Sequence, residues 1–286
     1  MATVVMVVVG IAAPIILMVS PQFSPDVVGA GWFAALPSVL MGASFILGIM
    51  FRQTRISALS LIWLGLTARG SQHFGGALPD AAAGDFVFVA SLLLPVLSIC
   101  LFLMAERRAF SARGIVRFYL ALASLGVLYW LPGLERFHEF VISLPPWLVG
   151  AYAPEAFNLA PVSGVLLLAA AGAMLSLERP ESPALGYMFT ALLVVGVVTL
   201  NAPMSAWPGG DSTLTVYRCM CLAVGGLLLW CVLDGAWRHA YVDELTQMPG
   251  RRPMNHHFAS LGRDYALAVV DLDRFKRVND KYGHDV

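Results

Sequence analysis

The stretch LTVYRCMCLAVGGLLLWCVLDGA at 214–236 decides the class of fold. A helix rises about 1.5 Å per residue, so about 20 predominantly apolar residues are needed to cross about 30 Å of hydrocarbon. This run meets that length and contains no Pro to interrupt a helix. It therefore predicts a membrane-spanning helix that leads into the last part of the chain.

The composition of the whole chain agrees with that prediction. Apolar residues make up 58% of the 286 and charged residues only 13%, whereas an average soluble domain has about half apolar and about a quarter charged residues. The four cysteines all lie within apolar runs, so the sequence indicates neither a disulfide framework nor a zinc cluster. Most of the chain is expected to lie in lipid.

Eight stretches meet or approach the length of a spanning helix. They are 2–19, 31–50, 57–74, 84–104, 115–132, 158–175, 185–202 and 214–236. The third carries Arg69 near its end and is either a short span or a re-entrant segment. We therefore expect a helical bundle of about eight spans, with seven as the alternative.

The arginines predict the orientation of these spans. Loops that an eight-span arrangement places in the cytoplasm hold Arg52, Arg55, Arg107, Arg108, Arg113, Arg117, Arg179 and Arg238, and the opposite loops hold only Arg69 and Arg136. Cytoplasmic loops carry the excess of basic residues in membrane proteins. The amino terminus and the tail after the last span are both expected in the cytoplasm.

From Tyr241 onward the chain has the character of a soluble domain. Asp243 precedes a short helical pattern in which Leu245 and Met248 are apolar, and Pro249-Gly250 predicts a turn. A second apolar pair, Phe258 and Leu261, would extend the same face.

The run YALAVV at 265–270 predicts a strand buried on both faces. Asp271 follows this strand directly, and a carboxylate at the end of a buried strand suits Mg²⁺, which prefers hard oxygen ligands. Taken alone, the DLD sequence at 271–273 is a weak signal, since it also suits a turn or a helix cap.

Two segments together resemble the start of the GGDEF family, the diguanylate cyclases. They are DELTQMPGRR at 243–252 and YALAVVDLDRFKRVNDKYGHDV at 265–286. The resemblance covers about 241–286 and implies the first part of a cytoplasmic α/β domain. It further implies condensation of two GTP molecules to cyclic di-GMP, with one GTP held by each half of a homodimer.

The resemblance assigns roles to individual residues of the tail. Asp271 and the backbone carbonyl of Leu272 match the ligands of Mg²⁺ or Mn²⁺, and Lys276 matches the lysine that neutralises phosphate charge in the transition state. Asn279 matches a residue that hydrogen-bonds guanine, and His284 matches another substrate-side position. The resemblance implies GTP as a partner and gives no indication of nucleic acid.

The tail departs from the family pattern in two ways. Gln247, Met248 and Gly250 stand where Gly, Leu and Asn are usual, and a turn or an apolar contact can absorb these changes. The 286 residues also end at Val286, before the GG[DE]EF hairpin of the family pattern. We therefore expect residues 238–286 to be an incomplete and inactive GGDEF domain.

Within the predicted membrane region of 1–237, four residues are candidates for sensing a signal. Arg218 lies near the outer end of the last span, where it either reaches the headgroups or pairs with Asp85, Asp211 or a ligand carboxylate. Glu135, His138 and Glu139 would share one face of an interfacial helix. There they either face water, which we favour, or sense a metal ion.

The leading hypothesis is a membrane-bound sensory diguanylate cyclase of the bacterial inner membrane, mainly α-helical and followed by the start of an α/β domain. A non-catalytic membrane receptor or scaffold is the alternative. A transporter is less favoured, because paired broken helices and ionisable residues near the midplane are scarce. The nature of the signal is not encoded in any recognisable motif.

Overall fold

The computed structural model describes residues 31–74, 80–104, 111–145, 161–177, 185–201, 212–243, 246, 248–262 and 265–269. The helices are α1 (Gly31–Met50), α2 (Thr54–Phe74), α3 (Asp80–Leu103), α4 (Ala112–Trp130), α5 (Glu135–Ser143), α6 (Pro161–Ser176), α7 (Leu185–Asn201), α8 (Ser212–Tyr241) and α9 (Arg251–Ser260). A 3₁₀ turn, Leu131–Gly133, connects α4 to α5. The chain divides into two units, Met1–Arg238 and His239–Val286.

Within the described ranges, four helices are long and apolar enough to cross a membrane. They are α1, the Gly84–Leu103 part of α3, α4 with its turn over Gly114–Gly133, and the Tyr217–Tyr241 part of α8. Shorter apolar helices cover Ser163–Ser176 in α6 and Gly186–Gly196 in α7. The prediction of a mainly helical membrane protein is confirmed.

Each predicted span from residue 31 onward coincides with a helix. The stretch at 2–19 lies outside the described residues, so the choice between eight and seven spans stays a prediction. Pro37 in α1 and Pro95 in α3 lie inside their helices. Membrane helices tolerate such prolines because neighbouring groups satisfy the freed backbone carbonyls.

Helix α2 is largely enclosed by its neighbours in the bundle. It is an unbroken helix of 21 residues. The sequence had allowed either a short span or a re-entrant segment at this position. Helix α2 packs against α1, α4 and α3, and Leu59, Ile62 and Leu66 are each 1% exposed. The apolar face of α2 is therefore covered by neighbouring helices. This explains why α2 belongs to the bundle although its mean hydropathy is lower than that of α1 and α3.

The bundle has two packed groups that meet at α3. One group joins α1, α2 and α4, and the other joins α3, α6 and α7. Trp63, Phe86, Phe102 and Phe189 are among the largest fully buried side chains. The rings of Phe102 and Phe189 lie 5.8 Å apart between centroids, a distance at which aromatic pairs attract beyond simple burial. α8 contacts this core through Tyr217, whose hydroxyl donates to the Leu66 carbonyl at 2.7 Å.

The second unit differs from the sequence-based expectation at its beginning. A turn replaces the predicted helical pattern after Asp243, and residues 242 and 249 form an isolated antiparallel bridge. The Asp243 amide donates to the Met248 carbonyl at 2.9 Å and the Gly250 amide donates to the Tyr241 carbonyl at 2.8 Å. Pro249 lacks a backbone donor, so a helix through this position would lose a hydrogen bond. Helix α9 begins only after this turn.

The strand predicted over 265–270 is wrong for residues 265–269. Residues 265–269 have no regular secondary structure, and Val269 is 85% exposed. A strand is stabilised by hydrogen bonds to a neighbouring strand and by burial of its faces. The described ranges contain no strand to pair with this segment, so its apolar side chains remain uncovered.

Candidate functional site

The residues assigned to GTP and metal binding lie outside the described residues. Asp271, Leu272, Lys276, Asn279 and His284 belong to this set. Their roles remain predictions from the sequence. The structure describes the segment that precedes them, at 241–243, 246, 248–262 and 265–269.

The first motif of the tail forms a side-chain-stabilised turn. One Asp243 carboxylate oxygen accepts hydrogen bonds from the Thr246 amide and the Thr246 hydroxyl, both at 2.9 Å. The Thr246 hydroxyl in turn accepts from the Met248 amide at 3.3 Å. Short polar side chains at the start of a turn commonly bond the backbone a few residues on. Asp243 and Thr246 therefore organise the backbone that leads into α9.

Arg251 and Arg252 begin α9 and are both exposed. Gly250 precedes them in extended conformation and makes no side-chain cap. Met254 and Phe258, one helical turn apart, are 46% and 42% exposed. Of the apolar face predicted from the sequence, only Phe258 lies in this helix, since Met248 and Leu261 lie outside its bounds and Leu245 is not among the described residues.

In the membrane unit, a carboxylate and an imidazole meet between α3 and α5. Asp85 on α3 is fully buried, and His138 on α5 is about one-third exposed. The Nδ1 atom of His138 lies 3.2 Å from Oδ1 and 3.1 Å from Oδ2 of Asp85. The imidazole therefore bonds a carboxylate that has been removed from solvent.

The other sensor candidates lie apart from this pair. Glu135 and Glu139 are exposed on α5, as expected for side chains that face water. Arg218 is half-buried on α8, and among the described residues no ion pair joins it to Asp85. The described ranges contain no group of three or more His, Cys, Asp or Glu residues placed to hold a metal ion.

A buried polar cluster surrounds the amino-terminal end of α2, and sequence reasoning missed it. Gln53 donates from Nε2 to the Val232 carbonyl of α8 at 2.9 Å. Arg55 donates to the Phe102 carbonyl of α3 at 3.4 Å, and Arg117 of α4 donates from Nη1 to the Thr54 hydroxyl. These contacts connect α2 to three other helices.

Arg55 and Arg117 were expected in cytoplasmic loops, and this placement is wrong. Both lie within helices and are 3% and 0% exposed. Their guanidinium groups bond helix carbonyl and hydroxyl groups, which makes burial in the bundle tolerable. The sequence did contain a signal for this burial: Gln53, Thr54 and Arg55 are adjacent at the start of a predicted span. Three neighbouring side chains that can form hydrogen bonds are suited to a buried polar network. The remaining arginines still favour the same side of the membrane.

Comparison with curated proteins and with solved structures gave no match to this chain. A family model did match: the one described as diguanylate cyclase, GGDEF domain, covers residues 240–286. The match begins in the last turn of α8, includes the Asp243 turn and α9, and extends over the residues predicted to bind GTP. Residues 240–286 of this chain are therefore similar to the GGDEF domain of diguanylate cyclases.

Proposed function

We propose that the protein is a membrane-bound sensory diguanylate cyclase. The observation that carries the proposal is the GGDEF match at 240–286, which follows without a break from α8, an apolar helix long enough to cross a membrane. Four such helices support a membrane location. The reaction is the condensation of two GTP molecules to cyclic di-GMP, in which each of the two new phosphodiester bonds releases one pyrophosphate.

Different residues of the tail would bind the metal ion, the phosphates and the rest of GTP. Asp271, with the Leu272 carbonyl, would hold Mg²⁺ or Mn²⁺, since a carboxylate and a carbonyl oxygen are ligands that both ions accept. When bound, that ion supplies positive charge to the phosphates. Lys276 adds a second positive charge near the transferring phosphate, while Asn279 and His284 orient the substrate.

Two functional copies are needed, because each GTP supplies the atom that attacks the other. The proposal therefore includes a homodimer formed through the cyclase domain. The bundle would act as the sensor that changes the relation of the two domains, and the tail would lie in the cytoplasm where GTP is available. The GG[DE]EF hairpin of the family pattern is absent from these 286 residues, so we expect no turnover from them alone.

The test measures cyclic di-GMP formed from GTP and Mg²⁺ by the product of the whole open reading frame in lipid nanodiscs. Asp271→Asn and Lys276→Ala are each expected to lower kcat at least about 100-fold, since each removes charge stabilisation of the transition state. Lys281→Ala is the matched control, because it removes a lysine from the same segment without an assigned role.

The proposal fails if the unsubstituted protein forms no cyclic di-GMP, or if both substituted proteins retain full activity. Binding of a fluorescent GTP analogue separates the roles. Asn279→Ala should weaken binding of that analogue, whereas Lys276→Ala should lower kcat more than it weakens binding.

A further inference from the structure

Among the described residues, helix α5 packs mainly against two neighbouring elements of the membrane unit. Its nine residues contact the Leu131–Gly133 turn and α3. Val141 is fully buried, whereas Phe140 and Ile142 on either side of it are 55% and 64% exposed. A short element with few buried contacts belongs to the part of a protein that opens at low free energy. The contacts that do hold α5 therefore have a large influence on its position.

One of those contacts joins His138 of α5 to the carboxylate of Asp85 on α3. This carboxylate is fully buried, and both of its oxygens lie within 3.2 Å of His138 Nδ1. A buried carboxylate is costly unless hydrogen bonds or an opposite charge compensate it. Movement of α5 away from the bundle removes His138, one of the partners that compensate the buried Asp85 carboxylate. The position of α5 and the charge state of the Asp85–His138 pair are therefore coupled.

Other charged residues lie on the two helices that meet at His138. On α5 they are Glu135, Arg136 and Glu139, all three facing solvent. On α3, Asp80 is a further carboxylate in the first turn of the helix. The Leu131–Gly133 turn, which also contacts α5, has no titratable side chain.

We propose that Asp85 and His138 form a proton-dependent clasp that holds α5 on the bundle. Histidine is the side chain whose charge ordinarily changes between about pH 5 and pH 8, and the one-third exposure of His138 allows exchange of protons with solvent. Protonated His138 gives a charge-assisted hydrogen bond to the carboxylate, which is stronger than the bond from neutral imidazole. The clasp is therefore tight at low pH and loosens as pH rises.

This clasp is independent of catalysis by the tail, and its test needs no turnover. The 286-residue chain in nanodiscs is compared by hydrogen–deuterium exchange at about pH 5.5 and about pH 8, with exchange expressed relative to an unstructured peptide at the same pH. Protection of the α5 amides is expected to fall at least about tenfold between the two values, which corresponds to about 1.4 kcal/mol. Amides of α3 and α4 should keep their protection and so report an intact fold.

Three variants assign the effect. His138→Gln, which keeps a donor but cannot become charged, and Asp85→Asn, which removes the carboxylate charge, should both make α5 protection independent of pH. Glu139→Gln is the matched control, since it removes an exposed charge from the same helix, and it should behave like the unsubstituted protein. Unchanged α5 protection between the two pH values in the unsubstituted protein would overturn the proposal, as would a pH response that survives His138→Gln.

Discussion

At position 196, the packing between two helices requires the absence of a side chain. A Cβ added to Gly196 of α7 would collide with the Trp63 ring of α2, and Trp63 is only 1% exposed, so the ring has no free space into which it can move. A Cβ added to Gly186 of the same helix would likewise collide with the backbone carbonyl of Met174 in α6. Small residues at such contacts let membrane helices approach closely.

Gly196→Ala should destabilise the bundle by about 1–3 kcal/mol, because an overpacked core forces side chains or helices to shift. Gly172→Ala is the matched control, since a Cβ at that position of α6 meets no atom within 4 Å. This second variant should be neutral or gain up to about 1 kcal/mol from lower chain entropy. Thermal unfolding in detergent measures both. Equal melting temperatures for the two variants would contradict the role assigned to the Gly196–Trp63 contact.

At the scale of elements, α2 and the Asp243 turn show how polar groups organise helices. α2 is anchored at its first turn by Thr54 and Arg55, which bond α4 and α3. Such bonds specify one arrangement of helices, since every buried donor left unmatched costs free energy. In the second unit, the Asp243 side chain plays a comparable part for a turn rather than a helix.

Asp243→Ala should loosen the segment 241–250, because the Thr246 amide and hydroxyl both lose their acceptor. A net loss of about 0.5–1.5 kcal/mol for each of the two hydrogen bonds, about 1–3 kcal/mol together, predicts a rise of about fivefold to 150-fold in amide exchange over this segment. Asp243→Asn keeps an acceptor oxygen and should restore most of the protection. If Asp243→Ala exchanges no faster than the unsubstituted chain, the backbone bonds at Asp243 and Gly250 alone are sufficient to hold the turn.

At the scale of the whole molecule, charge and hydropathy together predict how the protein lies in the membrane. The arginine excess predicts that the tail lies in the cytoplasm and that the α5 region lies on the opposite side. A helix of 30 residues, α8, exceeds the length needed to span about 30 Å. Its last turn, which belongs to the GGDEF match, therefore has room to lie outside the hydrocarbon.

Reporter fusions test this orientation. Green fluorescent protein fused after Tyr241 should fluoresce, because it folds in the cytoplasm, and alkaline phosphatase fused after Pro145 should be active, because it folds outside. The reverse result at both positions would contradict the orientation. Activity of the phosphatase at both positions would instead indicate an even number of spans between 145 and 241.

Sequence patterns predicted much of the helical fold and the family of the tail, because apolar length and local motif spacing are properties of short segments. The helices α1 to α4 and α6 to α8 lie where hydropathy predicted spans, and α5 is a helix where the sequence predicted one. The predicted strand at 265–270 failed because strand formation depends on a partner that lies elsewhere in a chain. The helical pattern after Asp243 failed because side-chain bonds at 243 and 246 favour a turn.

Composition and the order of residues were sufficient to predict a membrane protein, the similarity of the tail to the GGDEF family and the residues expected to bind GTP. The tertiary structure was needed to show that Arg55 and Arg117 are buried and that Asp85 on α3 contacts His138 on α5. Hydropathy treats each segment alone, whereas a buried charge is defined by side chains that distant segments bring to it. The partner of Asp85 lies 53 residues away along the chain, and only packing of α5 against α3 reveals it.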